Sequence, residues 1–373
     1  MNILTIGGAT QDIYLDYAGA DYMIINKKTA SQTFMLFETG EKIGIDQLLY
    51  LTGGGATNSA ASFKLRGFDV SCFCQVGTDS AGRMIIDDLA QRGINTSLIQ
   101  QTSEQPTGSS FIIKSLQNER TIFVHRGANA FLKHENIPFD AIKQCDQLYI
   151  TSLSKDSATL LPEIVRFAHE NKKPVAINPG GSQLSQGIQT LRESLPFVET
   201  LILNANEARK FMLSLVQTDE TYKKILETHA PIICSTTTCN EEPYLLTNPV
   251  VYDGTCFSAK KFFKEILSMG PRIVVITNGA NGVYVATQND VYFHPSIPIK
   301  VVDPVGAGDA FGSCFVASLK KGFAPYDALR HGVLNSASVL TKIGAKNDIL
   351  NDKELETQAA QLDPNLLQHY TLT

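Results

Sequence analysis

The sequence predicts an α/β protein with a mainly parallel, doubly wound sheet that carries helices on both faces. Short apolar runs alternate with amphipathic stretches along most of the chain, which is the pattern of strands that alternate with helices. Two segments depart from this pattern and contain β-prone pieces only. Of the 373 residues, 43% are apolar and 18% are charged, so the chain can bury a large core and is not disordered.

Each predicted element follows from a local pattern. The apolar run 2–7 is the first strand, and 56–66 is a helix that Gly67 closes. A second helix, 80–92, has Ser80 as its N-cap and Gly93 just beyond its end. The other predicted elements are the strands 71–77, 147–151, 175–178, 201–204 and 272–277 and the helices 156–170, 307–320 and 326–341.

The two segments without helices are 13–51 and 107–126. In the second, 108–115 pairs with 120–125 as a hairpin around the turn 116–119. Such strands fit equally well a small lid sheet over the open side or a hairpin on the main sheet. The predicted domain organisation consists of these segments and three further parts: a core of 1–12, 52–106 and 127–350, an irregular, threonine-rich insertion at 228–255, and a C-terminal helix or tail at 351–373.

Composition limits the classes of function. Lys and Arg number 32 against 37 Asp and Glu, and the net charge of −5 argues against a nucleic-acid-binding surface. No apolar run reaches the roughly 18 residues of a membrane span, and the N-terminus reads as a first strand rather than a signal peptide. The seven cysteines include no Cys-x-x-Cys, which disfavours a metal cluster and predicts reduced thiols in the cytoplasm.

The most informative stretch is Val301-Val302-Asp303-Pro304-Val305-Gly306-Ala307-Gly308-Asp309. An apolar strand ends, small residues follow, and a helix starts near Ala307. The free N–H groups of a helix start form an anion site. Asp309, in the first turn, either stabilises the helix dipole or takes a proton from a hydroxyl that attacks a phosphoryl group. The local pattern leaves both roles open.

Four other polar or glycine-rich stretches follow predicted strands. Each of them alone also fits a strand–helix turn, a helix cap or a β-turn. None contains the Walker A lysine, and the first turn lacks Gly-x-Gly-x-x-Gly, which disfavours an NAD-dependent oxidoreductase. The stretches are Gly7-Gly8-Ala9-Thr10-Gln11-Asp12, Gly53-Gly54-Gly55-Ala56-Thr57-Asn58, Asn204-Ala205-Asn206-Glu207 and Thr277-Asn278-Gly279-Ala280-Asn281-Gly282.

Together these stretches resemble the signatures of the PfkB (ribokinase-like) family of carbohydrate and nucleoside kinases, from about residue 3 to residue 347. The resemblance implies a ribokinase-like fold in which Asp309 is the catalytic base and the amides of Gly306, Ala307 and Gly308 form an anion hole. It implies acceptor contacts from Asp12, Thr10, Gly53, Gly54 and Asn58. It implies nucleotide contacts from Asn204, Glu207, Thr277, Gly279, Gly282 and Asn335.

The resemblance also implies the cofactors. ATP is the phosphoryl donor, and Glu207 acts near Mg²⁺ through water. Asp303 lies, with Val305, Val339, Gly344 and Asp348, near positions that hold a monovalent cation such as K⁺ in some members. The lid segments often form the dimer contact in this family, so we expect a homodimer.

The predicted function is an ATP-dependent kinase that phosphorylates a primary hydroxyl of a sugar, of the ribokinase, fructokinase or 2-keto-3-deoxygluconate kinase type. Thr10 replaces a usual Asn, and Leu153-Ser154 stands where ribokinases carry a Glu, so the acceptor need not be ribose. Arg126 either pairs with a carboxylate of the acceptor or is solvated.

Two alternatives remain at this point. One is an adenosine or other nucleoside kinase, in which lid aromatics hold the base. The residues available for that role are Phe34, Phe37 and Phe111, which fit equally well as lid core. The other is a non-catalytic regulator that has kept the fold and binds nucleotide or sugar.

Overall fold

The computed structural model describes residues 1–16, 21–27, 30–114, 120–185, 188–227, 243–247, 250–252 and 255–372. The predicted turn 116–119 and most of the predicted insertion 228–255 lie outside these residues. Among the described residues, no helix has the length and apolar character that crossing a membrane requires.

The strands, in chain order, are β1 (Asn2–Ile6), β2 (Thr10–Asp16), β3 (Asp21–Lys27), β4 (Ala30–Leu36), β5 (Gln47–Gly53), β6 (Asp69–Phe73), β7 (Gln75–Gly77), β8 (Gln100–Thr102), β9 (Gly108–Lys114), β10 (Arg120–His125), β11 (Gln147–Ile150), β12 (Val175–Ile177), β13 (Thr200–Asn204), β14 (Leu226–Glu227), β15 (Val250–Tyr252), β16 (Thr255–Phe257), β17 (Ile273–Thr277), β18 (Val283–Ala286), β19 (Asp290–His294) and β20 (Gln368–Thr371).

The helices are α1 (Gly55–Leu65), α2 (Ser80–Gln91), α3 (Phe139–Gln144), α4 (Leu161–Glu170), α5 (Gly181–Ser185), α6 (Ile188–Ser194), α7 (Ala205–Thr218), α8 (Tyr244–Thr247), α9 (Ala259–Ser268), α10 (Ala307–Lys320), α11 (Pro325–Val339) and α12 (Asp352–Gln361). Short 3₁₀ helices connect several of them.

The main sheet has nine strands among the described residues, in the order β20-β19-β18-β17-β13-β12-β11-β1-β6. The six strands from β17 to β6 are parallel, and β18, β19 and β20 continue the sheet in antiparallel pairs. Successive side chains of a strand point to opposite faces. Along β1, Ile3 belongs to the core cluster that contains residues of α1 and α10, whereas Leu4 and Ile6 belong to the cluster that contains residues of α4 and α7. Both faces are therefore covered, which confirms the predicted doubly wound class.

A smaller sheet with the order β10-β9-β2-β5 stands beside the main sheet. β9 and β10 form the predicted hairpin, and β2 joins β9 in parallel register and β5 in antiparallel register. The hairpin therefore belongs to a separate sheet, not to the main one. Because β2 follows β1 directly and β5 leads into α1, this sheet begins at the carboxyl end of the parallel strands, where ligands bind in open α/β sheets.

The structure corrects several predicted boundaries. Asp79, not Ser80, caps α2, since its carboxylate accepts from Gly82 N at 2.8 Å. The predicted strand 71–77 is two strands, β6 and β7, and the predicted helix 156–170 is a 3₁₀ turn followed by α4. The C-terminal segment holds α12 as predicted and also β20, an edge strand that the sequence analysis lacks.

Candidate active site

The anion site predicted at the start of α10 has open backbone donors. Gly306 is the N-cap residue in a left-handed conformation, with φ of 81°, and no side chain caps the helix. A Cβ on Gly306 would overlap Ala345, so only glycine fits this turn. A Cβ on Gly308 would meet open space. The first amides of α10 therefore lie on an accessible side of a helix N-terminus, where an anion is stabilised.

Asp309 lies in the first turn of α10 and faces α1. Asn58 Nδ2 donates to Asp309 Oδ2 at 2.8 Å. Burial raises the pKa of the Asp309 carboxyl, whereas the Asn58 hydrogen bond lowers it. Asn58 Oδ1 is buried without a hydrogen-bond partner among the described residues. A buried amide oxygen needs a donor, and a hydroxyl that approached Asp309 would supply one.

Asp12 is a residue for which the resemblance implies an acceptor contact. It is buried on β2, where Thr10 Oγ1 donates to Asp12 Oδ1 at 3.0 Å. Burial raises the pKa of the Asp12 carboxyl, and the hydroxyls of Thr10 and Ser110 counteract this. The charge of Asp309 also raises the pKa of Asp12, which places the two carboxylates within electrostatic range of each other.

The glycine turn before α1 holds these groups together. A Cβ on Gly53 would overlap the Asp12 carboxylate, and a Cβ on Gly54 would overlap the backbone of the first turn at Gly8. Thr57 Oγ1 donates to Gly53 O at 2.7 Å and fixes the turn. The predicted acceptor residues of β2, the glycine turn and α1 therefore lie close together, and their contact with an acceptor stays a prediction.

The nucleotide motifs lie side by side on two neighbouring strands. Asn204 ends β13 and Thr277 ends β17, and the two residues are partners in the parallel register. Asn204 and Glu207 form a capping box at the start of α7, with Glu207 N donating to Asn204 Oδ1 at 2.8 Å and Asn204 N donating to Glu207 Oε2 at 2.9 Å. The capping interpretation is thus correct for the local structure, and a nucleotide role would have to be additional.

Glu207 carries a second signal. The pKa of its carboxyl is raised to about 7, mainly by burial and to a smaller extent by the charge of Asp309. The Glu207 side chain is half-buried. A carboxyl with a raised pKa is stabilised by a nearby cation or by a proton. Among the described residues no group of three or more His, Cys, Asp or Glu side chains is arranged as a metal site, and Mg²⁺ near Glu207 stays a prediction.

The loop after β17 is exposed at Gly279 and turns back at Gly282 into β18. Gly282 has φ of 90°, and a Cβ there would overlap His294 O. This is the antiparallel β-turn that the local pattern allows. The turn lies beside Asn204 and is exposed, so a phosphate can reach Thr277 and Gly279 there.

Three predicted site residues are placed less favourably. Asn335 is fully buried, and its amide donates to Ala310 O at 2.8 Å and accepts from Leu350 N at 2.9 Å, so the side chain braces α10 and is not free for adenine. Arg126 is exposed, as the solvated interpretation has it.

The third is Asp303, whose carboxylate already accepts three hydrogen bonds from the protein. Tyr14 Oη lies 2.6 Å and Gly344 N 2.9 Å from Asp303 Oδ2, and Val305 N lies 3.0 Å from Oδ1. A carboxylate has about four acceptor positions, so these three donors occupy most of them. A monovalent cation at Asp303 stays a prediction.

The sequence analysis missed three residues of this region. Ser110 faces Asp12, Asn129 bonds both Ala9 N and Ala9 O, and Lys346 bonds Thr52. Only Asn129 had a signal, as part of the Gly-Ala-Asn that follows the hairpin. The other two contacts join residues that no local pattern connects.

The family model for "pfkB family carbohydrate kinase" matches residues 21–236 and 255–352. The chain belongs to this family of carbohydrate kinases. It is thus an ATP-dependent sugar kinase, an enzyme that transfers a phosphoryl group to a hydroxyl.

Among curated relatives, it is similar to the ribokinase of Staphylococcus aureus, with 25% identity over 84% of this chain and 90% of that protein. It is 29% identical to the ribokinase of Mus musculus, over 75% of each chain.

Solved structures show the same fold. The ribokinase of Arabidopsis thaliana complexed with ribose and ATP superposes with a TM-score of 0.71 at 17% identity, over 97% of this chain and 99% of that one. The ribokinase of Cryptococcus neoformans in complex with ADP gives 0.67 at 19% identity, over 96% and 99%. At these identities the likeness concerns the fold, and the substrate is a separate question.

Proposed function

We propose that this chain transfers the γ-phosphoryl group of ATP to a primary hydroxyl of a sugar, with Asp309 as the base. The observation that carries the proposal is the placement of Asp309 between the uncapped start of α10 and the Asn58 amide. A carboxylate next to an anion site can accept the hydroxyl proton while the amides stabilise the transferred charge.

Each side chain has a defined task in this reaction. Asn58 donates to Asp309 and has a free carbonyl oxygen for an acceptor hydroxyl, and Asp12 is positioned to bind a second hydroxyl. The amides of Gly306, Ala307 and Gly308 hold the phosphoryl oxygens. Phosphoryl transfer depends mainly on such positioning and charge stabilisation.

The nucleotide would lie along the ends of β13 and β17. Glu207, with its raised pKa, supports a place for the Mg²⁺ that accompanies ATP, and the Mg²⁺ would neutralise charge on the phosphates. The exposed turn at Gly279 lets phosphate approach the backbone closely. The proposal includes no step through K⁺.

Asp309→Asn tests the base. We expect kcat to fall by about 10²–10⁴, the usual contribution of general-base catalysis, with ATP binding retained. Asp327→Asn is the matched control, because Asp327 is the acidic residue in the first turn of the neighbouring helix α11. Steady-state phosphorylation and the unfolding midpoint should be measured for both variants. Near-normal turnover by Asp309→Asn would contradict the assignment.

The acceptor class is tested by a panel of ribose, fructose, 2-keto-3-deoxygluconate, adenosine and inosine. A nucleoside kinase is the second candidate because Phe34, Phe37 and Phe111 on β4, the following segment and β9 are exposed to 40%, 44% and 40% and could hold a base. Highest kcat/KM on a nucleoside would favour that candidate. Nucleotide binding without phosphorylation of any acceptor would favour a regulator.

The proposed assembly is a homodimer through the small sheet. Phe123, Phe111 and Tyr50 form an exposed apolar row across β10, β9 and β5, in register with Ile13 of β2. Ile13 itself is buried, so the exposed side chains stand on either side of it. Exposed apolar side chains that share one face of a sheet mark interaction surfaces. The cytoplasmic setting stays a prediction from the cysteines, four of which are buried free thiols: Cys72, Cys74, Cys145 and Cys314.

A further inference from the structure

A lysine lies buried behind the proposed site. The Lys346 side chain is only 3% exposed, and its Nζ lies 2.7 Å from Thr52 Oγ1 and 3.0 Å from Asp88 Oδ2. Asp88 Oδ2 also accepts from Thr52 Oγ1 at 2.6 Å, so the three side chains form a closed triangle. Burial of an ammonium costs several kcal/mol and is tolerated only when its partners are well placed. We call this group the Lys346 clamp.

The loop that carries Lys346 supports the anion site. Gly344 N donates to Asp303 Oδ2 at 2.9 Å, and Asp303 lies just before the turn at Gly306. Ala345 lies against Gly306, so closely that a Cβ on Gly306 would overlap it. The position of the first amides of α10 therefore depends on the backbone at 344–346.

The partners of Lys346 support the acceptor side. Thr52 precedes Gly53, whose Cα packs on the Asp12 carboxylate, and Asp88 anchors the same point to α2. Arg92 Nε donates to Asp88 Oδ1 at 2.9 Å, which completes the hydrogen bonding of that carboxylate. The Lys346 clamp thus joins the loop 344–346 to the glycine turn before α1. In the proposed reaction, the phosphoryl donor and the acceptor meet between these two segments.

Charge gives the same lysine a second effect. Asp12 and Asp309 are carboxylates of like sign, and the charge of Asp309 raises the pKa of Asp12. The positive charge of Lys346 lowers the pKa of both carboxyls, against the effect of burial. Burial lowers the pKa of Lys346 itself, and Asp88 opposes this.

Other ionisable groups also face these residues from the surrounding elements. Around Asp309 they are Asp12, Tyr149, Glu207 and Lys346. Around Lys346 they are Asp12, Cys72, Asp88, Arg92 and Asp309. Among these neighbours of Asp309, Lys346 is the one cation.

We propose that Lys346 is a positioning residue for phosphoryl transfer. Through Thr52 and Asp88 it joins the loop 344–346, which positions the first amides of α10, to the glycine turn before α1. It also supplies positive charge behind Asp12 and Asp309. This inference rests on the proposed function of Asp309 as the base. It assigns to Lys346 two separable effects, a tether and a charge.

The pH dependence of kcat separates these effects from a purely structural role. Lys346→Met removes tether and charge, and Lys346→Gln keeps a donor for Thr52 without the charge. In both variants we expect the acidic limb of the kcat profile to move to higher pH, since loss of a neighbouring cation raises a carboxyl pKa. The KM for the acceptor should rise more in Lys346→Met than in Lys346→Gln. Lys342→Met, an exposed lysine of the same loop, is the control and should match the wild type.

A second readout does not depend on turnover. Carboxyl ¹³C NMR titration of aspartate-labelled protein should show higher pKa values for Asp309 and Asp12 in Lys346→Gln than in the wild type or Lys342→Met. Asp88→Asn, which keeps Lys346, should show a smaller change. Unchanged carboxyl pKa values in Lys346→Gln, or a lowered kcat with an unmoved pH limb, would overturn the proposal. A wild-type enzyme that phosphorylates no acceptor contradicts the proposed function instead, and the NMR titration still decides the role of Lys346.

Discussion

The Asp309 carboxylate has neighbours that act on it in opposite directions. Burial favours its protonated form, whereas the Asn58 amide and Lys346 favour the ionised form. A general base must be ionised to accept a proton and basic enough to hold it. At the scale of the residue, Asn58 and Lys346 therefore act together against the effect of burial on the Asp309 carboxyl.

Glu207 gives a residue-scale prediction for stability. The pKa of Glu207 in the folded protein, about 7, lies above the ordinary value of 4.5. Between pH 4.5 and pH 7 the folded state therefore keeps the Glu207 proton, whereas the unfolded state has lost it. The stabilisation of the folded state by protonated Glu207 is fully present below pH 4.5 and is lost as pH rises through 7. Relative to Glu207→Gln, the free energy of unfolding of the wild type should therefore fall between pH 4.5 and pH 7.

Urea unfolding at several pH values measures this difference. Glu170→Gln, which alters an exposed glutamate of α4, is the control and should run parallel to the wild type. If the Glu207→Gln curve also runs parallel to the wild type, the carboxyl titrates normally in the folded state. Saturating Mg·ATP should reduce the pH dependence of the wild type, because a cation beside Glu207 favours its ionised form.

At the scale of the element, α10 combines an open N-terminus with a firmly held body. Its second half contacts Arg66, the C-cap residue of α1, which is buried, donates to Cys314 Sγ at 2.9 Å and pairs with Asp352 of α12. Asn335 of α11 holds Ala310 O. The helix is therefore fixed by three neighbours, while its first amides stay free for a ligand.

Gly306→Ala tests the start of this helix. The left-handed φ of 81° and the overlap with Ala345 should together cost about 2–4 kcal/mol in the free energy of unfolding, or displace the turn and lower kcat. Gly322→Ala is a matched control, because Gly322 has φ of 92° and open space around the position of a Cβ. Denaturant unfolding of both variants gives the comparison. Equal losses would mean that contact with Ala345 has no part in fixing the anion site.

At the scale of the whole molecule, two sheets meet at the proposed site. The main sheet contributes strand ends at Asn204 and Thr277, and the small sheet contributes Asp12 from β2. Water must be kept from a phosphoryl group in transfer, and a sheet over the open side could serve this purpose. The small sheet has too little core of its own, since many of its apolar side chains are exposed.

Phe123→Glu tests whether a second copy covers these side chains. Phe123 is 55% exposed, and a charge within an apolar dimer contact should convert the dimer to a monomer. Light scattering coupled to gel filtration measures the mass directly. Leu65→Glu, at an equally apolar but separate position on α1 with 47% exposure, should leave the mass unchanged. A monomeric wild type would contradict the proposed assembly.

The outcome for individual elements shows which predictions a sequence can carry. Helix 307–320 was predicted with the bounds that the structure has, because glycine and small residues at its start and a periodic apolar face are local signals. The N-cap of α2 was misplaced by one residue, because Asp79 and Ser80 are both good caps and contacts with Thr107 decide between them. β20 was missed because an edge strand of alternating exposure carries a weak pattern.

The amino-acid sequence alone determined the alternation of strands and helices, the glycine turns and the acidic first turn of α10, since these depend on backbone conformations within a few residues. Only the tertiary structure decided which groups face Asp309. Asn58 is 251 positions away in sequence, and Lys346 reaches Thr52 across 294. Such contacts depend on how helices pack on a shared sheet, and local propensity holds no information about the side chain that packing brings to a distant carboxylate.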